Sequence, residues 1–398
     1  MHPVSQRGQV EPFHVMEVIK AAALRQATHG DVINLCVGQP STPAPRPVLR
    51  AAREAIDAQV LGYTEALGVW PLRVAIADHY LHTYGVEVDP RQVAVTTGSS
   101  GAFTALFLAA FDVGDVVAVT RPGYAAYRNT LVALGCDVVE IDCGPATRYQ
   151  PTVELLEALP RRPRGLVIAS PANPTGTVLD PAELQAISKW CADNNCLLIS
   201  DEIYHGVTYA DDSGERTFGR TAWELSRDAA VVGSFSKYYS MTGWRLGWCL
   251  LPPDLLRPVE LLLGNLNLCP PAVSQAAAIA AFDAESVAEL ETHVQRYADN
   301  RALLLHRLPD LGVHDFAPPD GAFYAWCDVR HLTHDSLGWC REVLDATGVA
   351  ITPGVDFATS RPDADPELDG NHVVRISFCG NGSQLDEGID RLVAHLGR

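Results

Sequence analysis

Through its middle, the chain alternates short apolar runs with helix-like stretches, and this alternation constrains its fold more than any other feature. Strands that alternate with helices predict a mostly parallel sheet covered by helices, and therefore an α/β fold. Because both faces of such a sheet are buried, its strands are continuously apolar. The runs are QVAVTTG (92–98), DVVAVT (115–120), GLVIAS (165–170), CLLIS (196–200) and AVVGSF (230–235), with helical patterns such as FTALFLAAF and PAELQAISKWCAD between them.

The two ends of the chain have a different pattern. Residues 14–29 form an amphipathic helical pattern, and longer helical patterns occupy the last third of the chain. The late runs YAWCDV and HVVRISF predict strands. The simplest arrangement is a large central domain and a small α+β domain built from both chain ends. The predicted segments are residues 1–50 (N-terminal arm and part of the small domain), 51–280 (large domain) and 281–398 (C-terminal part of the small domain).

Charge and cysteine usage exclude several classes of function. The formal net charge is -18, which disfavours nucleic acid and anionic membranes as partners because both are negatively charged. The N-terminal residues lack the apolar segment of a signal peptide, and no apolar run is long enough to span a bilayer. Ten cysteines are scattered without any CxxC pair. We therefore expect a cytoplasmic protein with reduced thiols and no metal site.

Polar residues follow the predicted strands at the edge where open α/β sheets bind ligands. After the first run, Ser99 and Ser100 lead directly into a helix, an arrangement that suits a phosphate but also fits an ordinary helix cap. The sequence PANPTG (171–176) follows the third run and fits a tight turn. Asp201 follows the fourth run and equally fits a helix cap. Each of these residues taken alone is therefore ambiguous.

Lysine usage makes one position stand out. The chain contains three lysines, and Lys20 and Lys189 lie in helical patterns where a solvated face explains them. Lys237 instead follows an apolar strand, in the serine-rich turn SFSK, which favours a chemical role. Arg245 lies eight residues later and is a candidate cation for a phosphate, or else a surface arginine. Arg375 lies inside the apolar run HVVRISF, where a charge needs either an ion-pair partner or a function.

In order and spacing, these residues resemble the class I/II aminotransferases of pyridoxal 5'-phosphate (PLP) fold type I, over nearly the whole chain. The resemblance is greatest to actinobacterial aspartate-aminotransferase-like members. It implies a mostly parallel seven-stranded sheet in the large domain. The motifs that carry it are Gly38-Gln39-Pro40, Tyr63 in GYTEALG, TTGSSGA, Pro122-Gly123-Tyr124, Asn173-Pro174-Thr175-Gly176, Asp201-Glu202-Ile203-Tyr204, SFSK ending at Lys237, Arg245, and Arg375 in VRISF.

The resemblance implies roles for the residues around the cofactor ring. Lys237 would bind PLP covalently through an imine and, once released, move a proton from the substrate Cα. Asp201 would keep the pyridine nitrogen protonated. Asn173 and Tyr204 would hydrogen-bond the phenolic oxygen, and Tyr124 would stack on the ring. Lys237, Asp201 and Tyr204 are thus the implied catalytic residues.

The resemblance also implies how phosphate and substrate are bound. The phosphate ligands would be Ser99, Ser100, Ser234 and Arg245, joined by Tyr63 of the second subunit, so that a homodimer shares each active site. Arg375 would hold the substrate α-carboxylate in a bidentate pair, together with Asn173 and the backbone of Gly38. The substrates would be an L-amino acid and a 2-oxo acid.

The chain departs from the family members that are specific for dicarboxylates. One subgroup places a lysine where this chain has Ser100, and another uses an arginine of the partner subunit near the position of Gly264 and Asn265, in the segment before a Pro-Pro pair. Both cations are missing here, so we expect a neutral aliphatic or aromatic donor to be preferred over aspartate. We predict that Leu266, Leu268 and Cys36 make the pocket apolar.

Three alternative functions stay open at this point. An arginine on a mobile loop would restore aspartate aminotransferase activity. A C–S β-lyase would use the same lysine but would release pyruvate and ammonia from cystathionine without an added 2-oxo acid. A non-catalytic module that senses PLP or amino acids would bind the same ligands without turnover, although such modules normally carry a DNA-binding extension.

Overall fold

The structure is a computed structural model that describes residues 2–211, 213–314, 316–361 and 365–397. Its strands are β1 (Ile33–Asn34), β2 (Val93–Thr96), β3 (Val116–Arg121), β4 (Asp137–Asp142), β5 (Gly165–Ala169), β6 (Leu197–Asp201), β7 (Ala230–Ser234), β8 (Gly247–Leu250), β9 (Tyr324–Asp328), β10 (Val349–Ala350), β11 (Thr352–Pro353) and β12 (Val373–Ser377). Its α-helices are α1 (His14–His29), α2 (Arg46–Ala58), α3 (Trp70–Tyr84), α4 (Gly98–Ala110), α5 (Ala125–Leu134), α6 (Val153–Glu157), α7 (Pro181–Asp193), α8 (Ala222–Leu225), α9 (Pro253–Leu266), α10 (Ala272–Ala278), α11 (Ala284–Arg307), α12 (Ser336–Thr347) and α13 (Gly382–His395).

The main sheet has seven strands in the order β2-β8-β7-β6-β5-β3-β4. Strand β8 is antiparallel to both of its neighbours, and the other strands run parallel to one another. The predicted α/β fold with a mostly parallel seven-stranded sheet is therefore confirmed. All five apolar runs of the sequence form strands of this sheet, as predicted.

The apolar runs are continuous because each strand packs into two cores. Along β5, Leu166 and Ile168 join the core on one face of the sheet, and Val167 joins the core on the other. In β6, Leu198 and Ile199 divide between the two cores in the same way. This alternation is the geometric consequence of the strand pleat, and helices cover both faces.

Two strands of the main sheet were not predicted. Strand β4 pairs only with β3 at the edge of the sheet, and its apolar residues are interrupted by Asp137, Glu140 and Asp142. Such acidic residues are expected where a strand is only partly covered. Strand β8 is four residues long and includes Gly247 and Trp248, so no continuous β-branched run marks it.

The two ends of the chain meet in smaller sheets. Ile33 of β1 pairs in parallel with Val349 of β10, across more than 300 residues of sequence. Strands β11, β12 and β9 form an antiparallel sheet of three strands, in which Arg375 pairs with Thr352 on one side and Trp326 on the other. The predicted strands YAWCDV and HVVRISF are therefore confirmed, and α1 matches the predicted helix over residues 14–29. The domain boundaries at residues 50 and 280 stay predictions.

Candidate active site

A cavity of about 320 Å³ opens where β2, β5, β6 and β7 end. Because parallel strands end at the same edge of the sheet, the residues that follow them converge there. Ten of the twelve site residues predicted from the sequence line this cavity, and Tyr63 and Ser234 do not. The ten are Gly38, Ser99, Ser100, Tyr124, Asn173, Asp201, Tyr204, Lys237, Arg245 and Arg375.

Lys237 reaches the cavity from the turn after β7. Its Nζ donates a hydrogen bond to the carbonyl oxygen of Gly38 at 2.7 Å and lies 5.6 Å from the centre of the Tyr204 ring. Among the described residues, no carboxylate oxygen pairs with this amine within 4.0 Å. Burial lowers the pKa of Lys237 to about 8, because the charged form loses its hydration. A lysine with this pKa supplies a neutral amine near physiological pH, as a nucleophile or base requires.

Asp201 ends β6 and is almost completely buried. One carboxylate oxygen accepts a hydrogen bond from the Tyr127 hydroxyl, and the other accepts one from the backbone N–H of Ile203 at 3.1 Å. Burial raises the pKa of Asp201 to about 6, and the hydrogen bond from Tyr127 opposes that shift. The carboxylate is therefore suited to pair with a cationic group brought into the cavity.

Tyr204 and Tyr324 form a hydroxyl pair beside Lys237. Their hydroxyl oxygens are 2.6 Å apart, and the Tyr324 hydroxyl also donates to the Gly38 carbonyl oxygen at 3.4 Å. A Cβ atom at residue 38 would overlap the Tyr324 hydroxyl, so glycine at this position allows the close approach. The Gly38 carbonyl oxygen therefore accepts hydrogen bonds from both Lys237 and Tyr324.

Arg375 is a buried cation without a carboxylate partner among the described residues, although it lies in the middle of β12. It donates to Asn173 Oδ1 at 2.8 Å and to the Cys36 carbonyl oxygen at 2.6 Å, while its Nε has no hydrogen-bond partner. Its guanidinium group lies 4.3 Å from the centre of the Tyr324 ring and 4.8 Å from that of Phe357. A guanidinium that is fixed by two rings and lacks an anion suits a carboxylate ligand.

The first turn of α4 lines one end of the cavity. Ser99 and Ser100 lie in this turn, and Thr97, at the N-cap, makes no side-chain capping bond. Arg245 has a left-handed backbone conformation (φ 52°), which brings its guanidinium beside Gly98. A Cβ atom at residue 98 would overlap that guanidinium. Free N–H groups, two hydroxyls and an arginine make this end suitable for an anion such as phosphate.

The structure places Ser234 and Tyr63 elsewhere. Ser234 lies within β7, and its hydroxyl accepts the backbone N–H of Ser236 at 3.0 Å. Ser236, which was not predicted, lines the cavity instead. Tyr63 is 86% exposed and does not line the cavity of its own chain. The predicted contribution of Tyr63 to a second subunit therefore stays a prediction.

The apolar wall of the cavity comes from the N-terminal segment: its lining residues are Phe13, Val15, Ile19 and Val37. Of the residues predicted to make the pocket apolar, Cys36 is fully buried and does not line the cavity, and its sulphur contacts the Thr352 hydroxyl at 3.2 Å. Leu266 and Leu268 are about half exposed and do not line the cavity of their own chain. Their contribution to the pocket of a second subunit stays a prediction.

Sequence analysis also missed Tyr127 and Tyr324. Tyr127 lies three residues after Tyr124 in α5, the spacing that places two side chains on one face of a helix. Tyr324 begins β9 and pairs with Ser377, two residues from Arg375 in β12. Helical spacing and strand pairing are the signals that point to these two residues.

Neither a membrane span nor a metal site is found in the part of the chain that the structure describes. None of its helices is long and apolar enough to cross a membrane. Within the same residues, no group of three or more histidine, cysteine, aspartate or glutamate side chains is arranged to hold a metal ion.

The sequence of the chain matches a known protein family. The sequence profile described as "Aminotransferase class I and II" matches residues 30–392. The chain is 52% identical over 389 residues to the valine–pyruvate aminotransferase of Mycobacterium tuberculosis, covering 98% of this chain and 97% of the relative. It is 31% identical to the aspartate aminotransferase of Thermotoga maritima, covering 91% and 90% of the two chains.

Solved structures agree with the sequence comparison. A crystal structure of an aminotransferase from Mycobacterium tuberculosis superposes with a TM-score of 0.94 at 51% identity, covering 100% of both chains. The alternation of strands and helices, the buried lysine after β7 and the unpaired arginine in β12 thus occur in a chain that matches this family along almost its entire length. The chain belongs to the class I and II aminotransferases, and it is an enzyme of the aminotransferase type.

Proposed function

We propose that this aminotransferase uses PLP bound to Lys237 and moves the amino group of a neutral L-amino acid, preferably an aliphatic one, to a 2-oxo acid. The observation that carries the proposal is the arrangement of charges in one cavity. Lys237 lines the same cavity as the buried carboxylate of Asp201 and the guanidinium of Arg375, and both charges act on its amine. Ser99, Ser100 and Arg245 supply a separate anion-binding end.

The residues present fit the cofactor. The buried carboxylate of Asp201 suits a protonated pyridine nitrogen, and the first turn of α4 with Arg245 suits a phosphate. The Tyr124 ring lines the same cavity and is suited to stack on an aromatic ring. Ser236 lines the same cavity, so we propose its backbone or hydroxyl, rather than the Ser234 side chain, as the further phosphate donor.

PLP, when bound, acts as an electron sink for the pair left on the substrate Cα as the Cα–H bond breaks. The Lys237 amine removes that proton, and its pKa of about 8 leaves about a tenth of the amine neutral at pH 7. Arg375 holds the α-carboxylate and so fixes which Cα bond faces the amine. Hydrogen bonds from Tyr127 and from the Ile203 N–H favour the ionised form of Asp201, which would hold the proton on the ring nitrogen.

Several observations support a neutral donor. Among the described lining residues, the cations are Lys237, Arg245 and Arg375, and each already has a role in the proposal. Ser100 lines the cavity where one dicarboxylate-specific subgroup has a lysine. The wall formed by Phe13, Val15, Ile19 and Val37 is apolar, and a second carboxylate against it would be costly without a partner. The 52% identical relative is a valine–pyruvate aminotransferase, which also supports an aliphatic donor and makes pyruvate a candidate acceptor.

We further propose a homodimer that shares each active site. Tyr63 is 86% exposed, and Val60 is 99% exposed in the same segment. Leu261, Leu266 and Leu268 near the end of α9 are also exposed. These exposed side chains are available to an interface, and the family resemblance assigns Tyr63 to the active site of the second subunit. The predicted location in the cytoplasm stays a prediction from the sequence.

The purified enzyme with PLP tests the donor proposal through kcat/KM for valine, alanine, phenylalanine and aspartate, each with pyruvate and with 2-oxoglutarate. We expect valine or alanine to exceed aspartate by about 100-fold, because an unpaired distal carboxylate costs several kcal/mol in an apolar pocket. A preference for aspartate would refute the donor assignment. Release of pyruvate and ammonia from cystathionine without a 2-oxo acid would indicate the β-lyase, and binding without turnover would indicate a sensing module.

A further inference from the structure

The first turn of α1 is capped by a residue from the other end of the chain. Phe13 occupies the N-cap position and provides no side-chain hydrogen bond. The first N–H groups of a helix have no partner within the helix, so they need an acceptor from elsewhere. Asp356 provides both of its carboxylate oxygens, one to the His14 N–H at 2.7 Å and one to the Val15 N–H at 2.6 Å.

Asp356 lies next to the active site. It is buried and lies in the turn that follows β11. The next residue, Phe357, places its ring 4.8 Å from the Arg375 guanidinium. The Phe357 carbonyl oxygen also accepts the backbone N–H of Gly123 at 2.9 Å, beside the predicted ring-stacking residue Tyr124. Through the neighbouring Phe357, the residue that caps α1 therefore contacts two parts of the site. One is Arg375, proposed to bind the carboxylate, and the other is the turn that carries Tyr124, proposed to stack on the cofactor ring.

The capped turn carries the apolar wall of the cavity. Phe13 packs edge-on against Tyr124, with ring centres 5.8 Å apart. Val15 and Ile19 are four residues apart, on one face of α1, and both line the cavity. The position of these side chains depends on the first two turns of α1. The start of the first turn is held by the hydrogen bonds to Asp356.

We propose that Asp356 is a positioning residue for donor selection: by accepting the N–H groups of His14 and Val15, it fixes Val15 and Ile19 against the side chain of a branched aliphatic donor. The proposal rests on the proposed function, because it assigns α1 to the donor pocket of that reaction. It predicts that loss of the Asp356 carboxylate affects branched donors more than small ones.

The test compares D356A and D356N with the wild-type enzyme, using valine and alanine as donors. In D356A, we expect kcat/KM for valine to fall about tenfold, mainly through KM, and kcat/KM for alanine to fall less than about threefold. The amide that D356N introduces keeps one acceptor oxygen, so the effect of this variant on valine should be intermediate. Equal losses for the two donors, or no loss, would overturn the proposal.

Asp180 offers a matched control. Its Oδ1 accepts the backbone N–H groups of Ala182 and Glu183 at 2.8 and 3.4 Å and so caps α7, a helix of which no described residue lines the cavity. D180A removes a helix cap at an exposed position, where a single carboxylate oxygen serves both N–H groups, and we expect the valine-to-alanine ratio of kcat/KM to stay within about twofold of wild type. A change in that ratio equal to that of D356A would show a general effect of helix destabilisation and would overturn the proposal.

Hydrogen exchange gives a readout that does not depend on turnover. We expect amide exchange in the α1 segment of D356A to be about tenfold faster than in wild type, and exchange in the α7 segment to be unchanged. Unchanged exchange in α1 would overturn the positioning role even if activity falls. If the wild-type enzyme transfers no amino group from any neutral donor, the proposed function fails, whereas the exchange result still reports whether Asp356 fixes α1.

Discussion

Replacing Lys237 with alanine is expected to lower kcat for transamination by about four orders of magnitude or more, because the variant loses both the proposed cofactor attachment and the proposed base for the Cα proton. No other lysine can replace it, since Lys20 and Lys189 lie in α1 and α7 and do not line the cavity. The activity expected to remain in this variant is the slow, uncatalysed transfer of the amino group from the amino acid to bound PLP. Steady-state kinetics with a neutral donor and a 2-oxo acid measure the change.

Lys189 provides the matched control for this substitution. Its amine is exposed and pairs with Asp193 at 2.6 Å, one helical turn away. An exposed pair of this kind contributes little to stability. We therefore expect K189A to retain kcat within about twofold of wild type. Near-normal activity of K237A, under conditions in which K189A is also active, would show that Lys237 is not the catalytic amine.

The second large effect is expected at Arg375. R375A should lower kcat/KM for the amino acid by about 1000-fold, because it removes the proposed charged, bidentate partner of the substrate α-carboxylate. The Arg375 guanidinium is already oriented by Asn173 and by the two rings beside it. The side chain therefore loses little conformational entropy when the wild-type enzyme binds the carboxylate. The measurement is kcat/KM for one donor across the variants, with KM and kcat reported separately.

R375K separates charge from geometry at the same position. Lysine keeps the positive charge but cannot form two parallel hydrogen bonds with a carboxylate. We therefore expect kcat/KM of R375K to lie between those of wild type and R375A, with a loss of about 30-fold. A loss below about threefold in R375A would mean that another residue binds the α-carboxylate, and the assignment would fail.

Much of the site follows from the sequence because the sheet is parallel. Asn173, Asp201 and Lys237 each come just after a predicted strand, and parallel strands must end at one edge. Their meeting is thus a consequence of topology, which the alternation of apolar runs and helices predicts. The roles of the individual residues came from the family resemblance, since each of them alone also fits a cap or a turn.

Which serine of the SFSK turn faces the cavity could not be predicted from the sequence. Strand β7 extends as far as Ser234, so the pleat of the strand sets the direction of its side chain, whereas Ser236 lies beyond the strand in the turn. A strand boundary misplaced by one or two residues changes which serine faces the cavity. The sequence SFSK does not mark that boundary, because serine is compatible with both a strand end and a turn.

Contacts between distant segments could not be predicted either. Asp356 caps a helix that lies 342 residues earlier in the chain, and Tyr324 meets Tyr204 across 120 residues. Neither contact leaves a local pattern, because each depends on how β11, β12 and β9 pack against the N-terminal segment. The edge strand β4 was missed for a related reason: partial exposure gives it acidic residues that weaken an apolar run.

The most direct test of this account is reduction of the PLP-loaded enzyme with borohydride, followed by proteolysis and mass spectrometry of the three lysine-containing segments. The account predicts a stable pyridoxyl adduct on Lys237 and none on Lys20 or Lys189. An adduct confined to another lysine, or an active enzyme in which Lys237 remains unmodified, would contradict it.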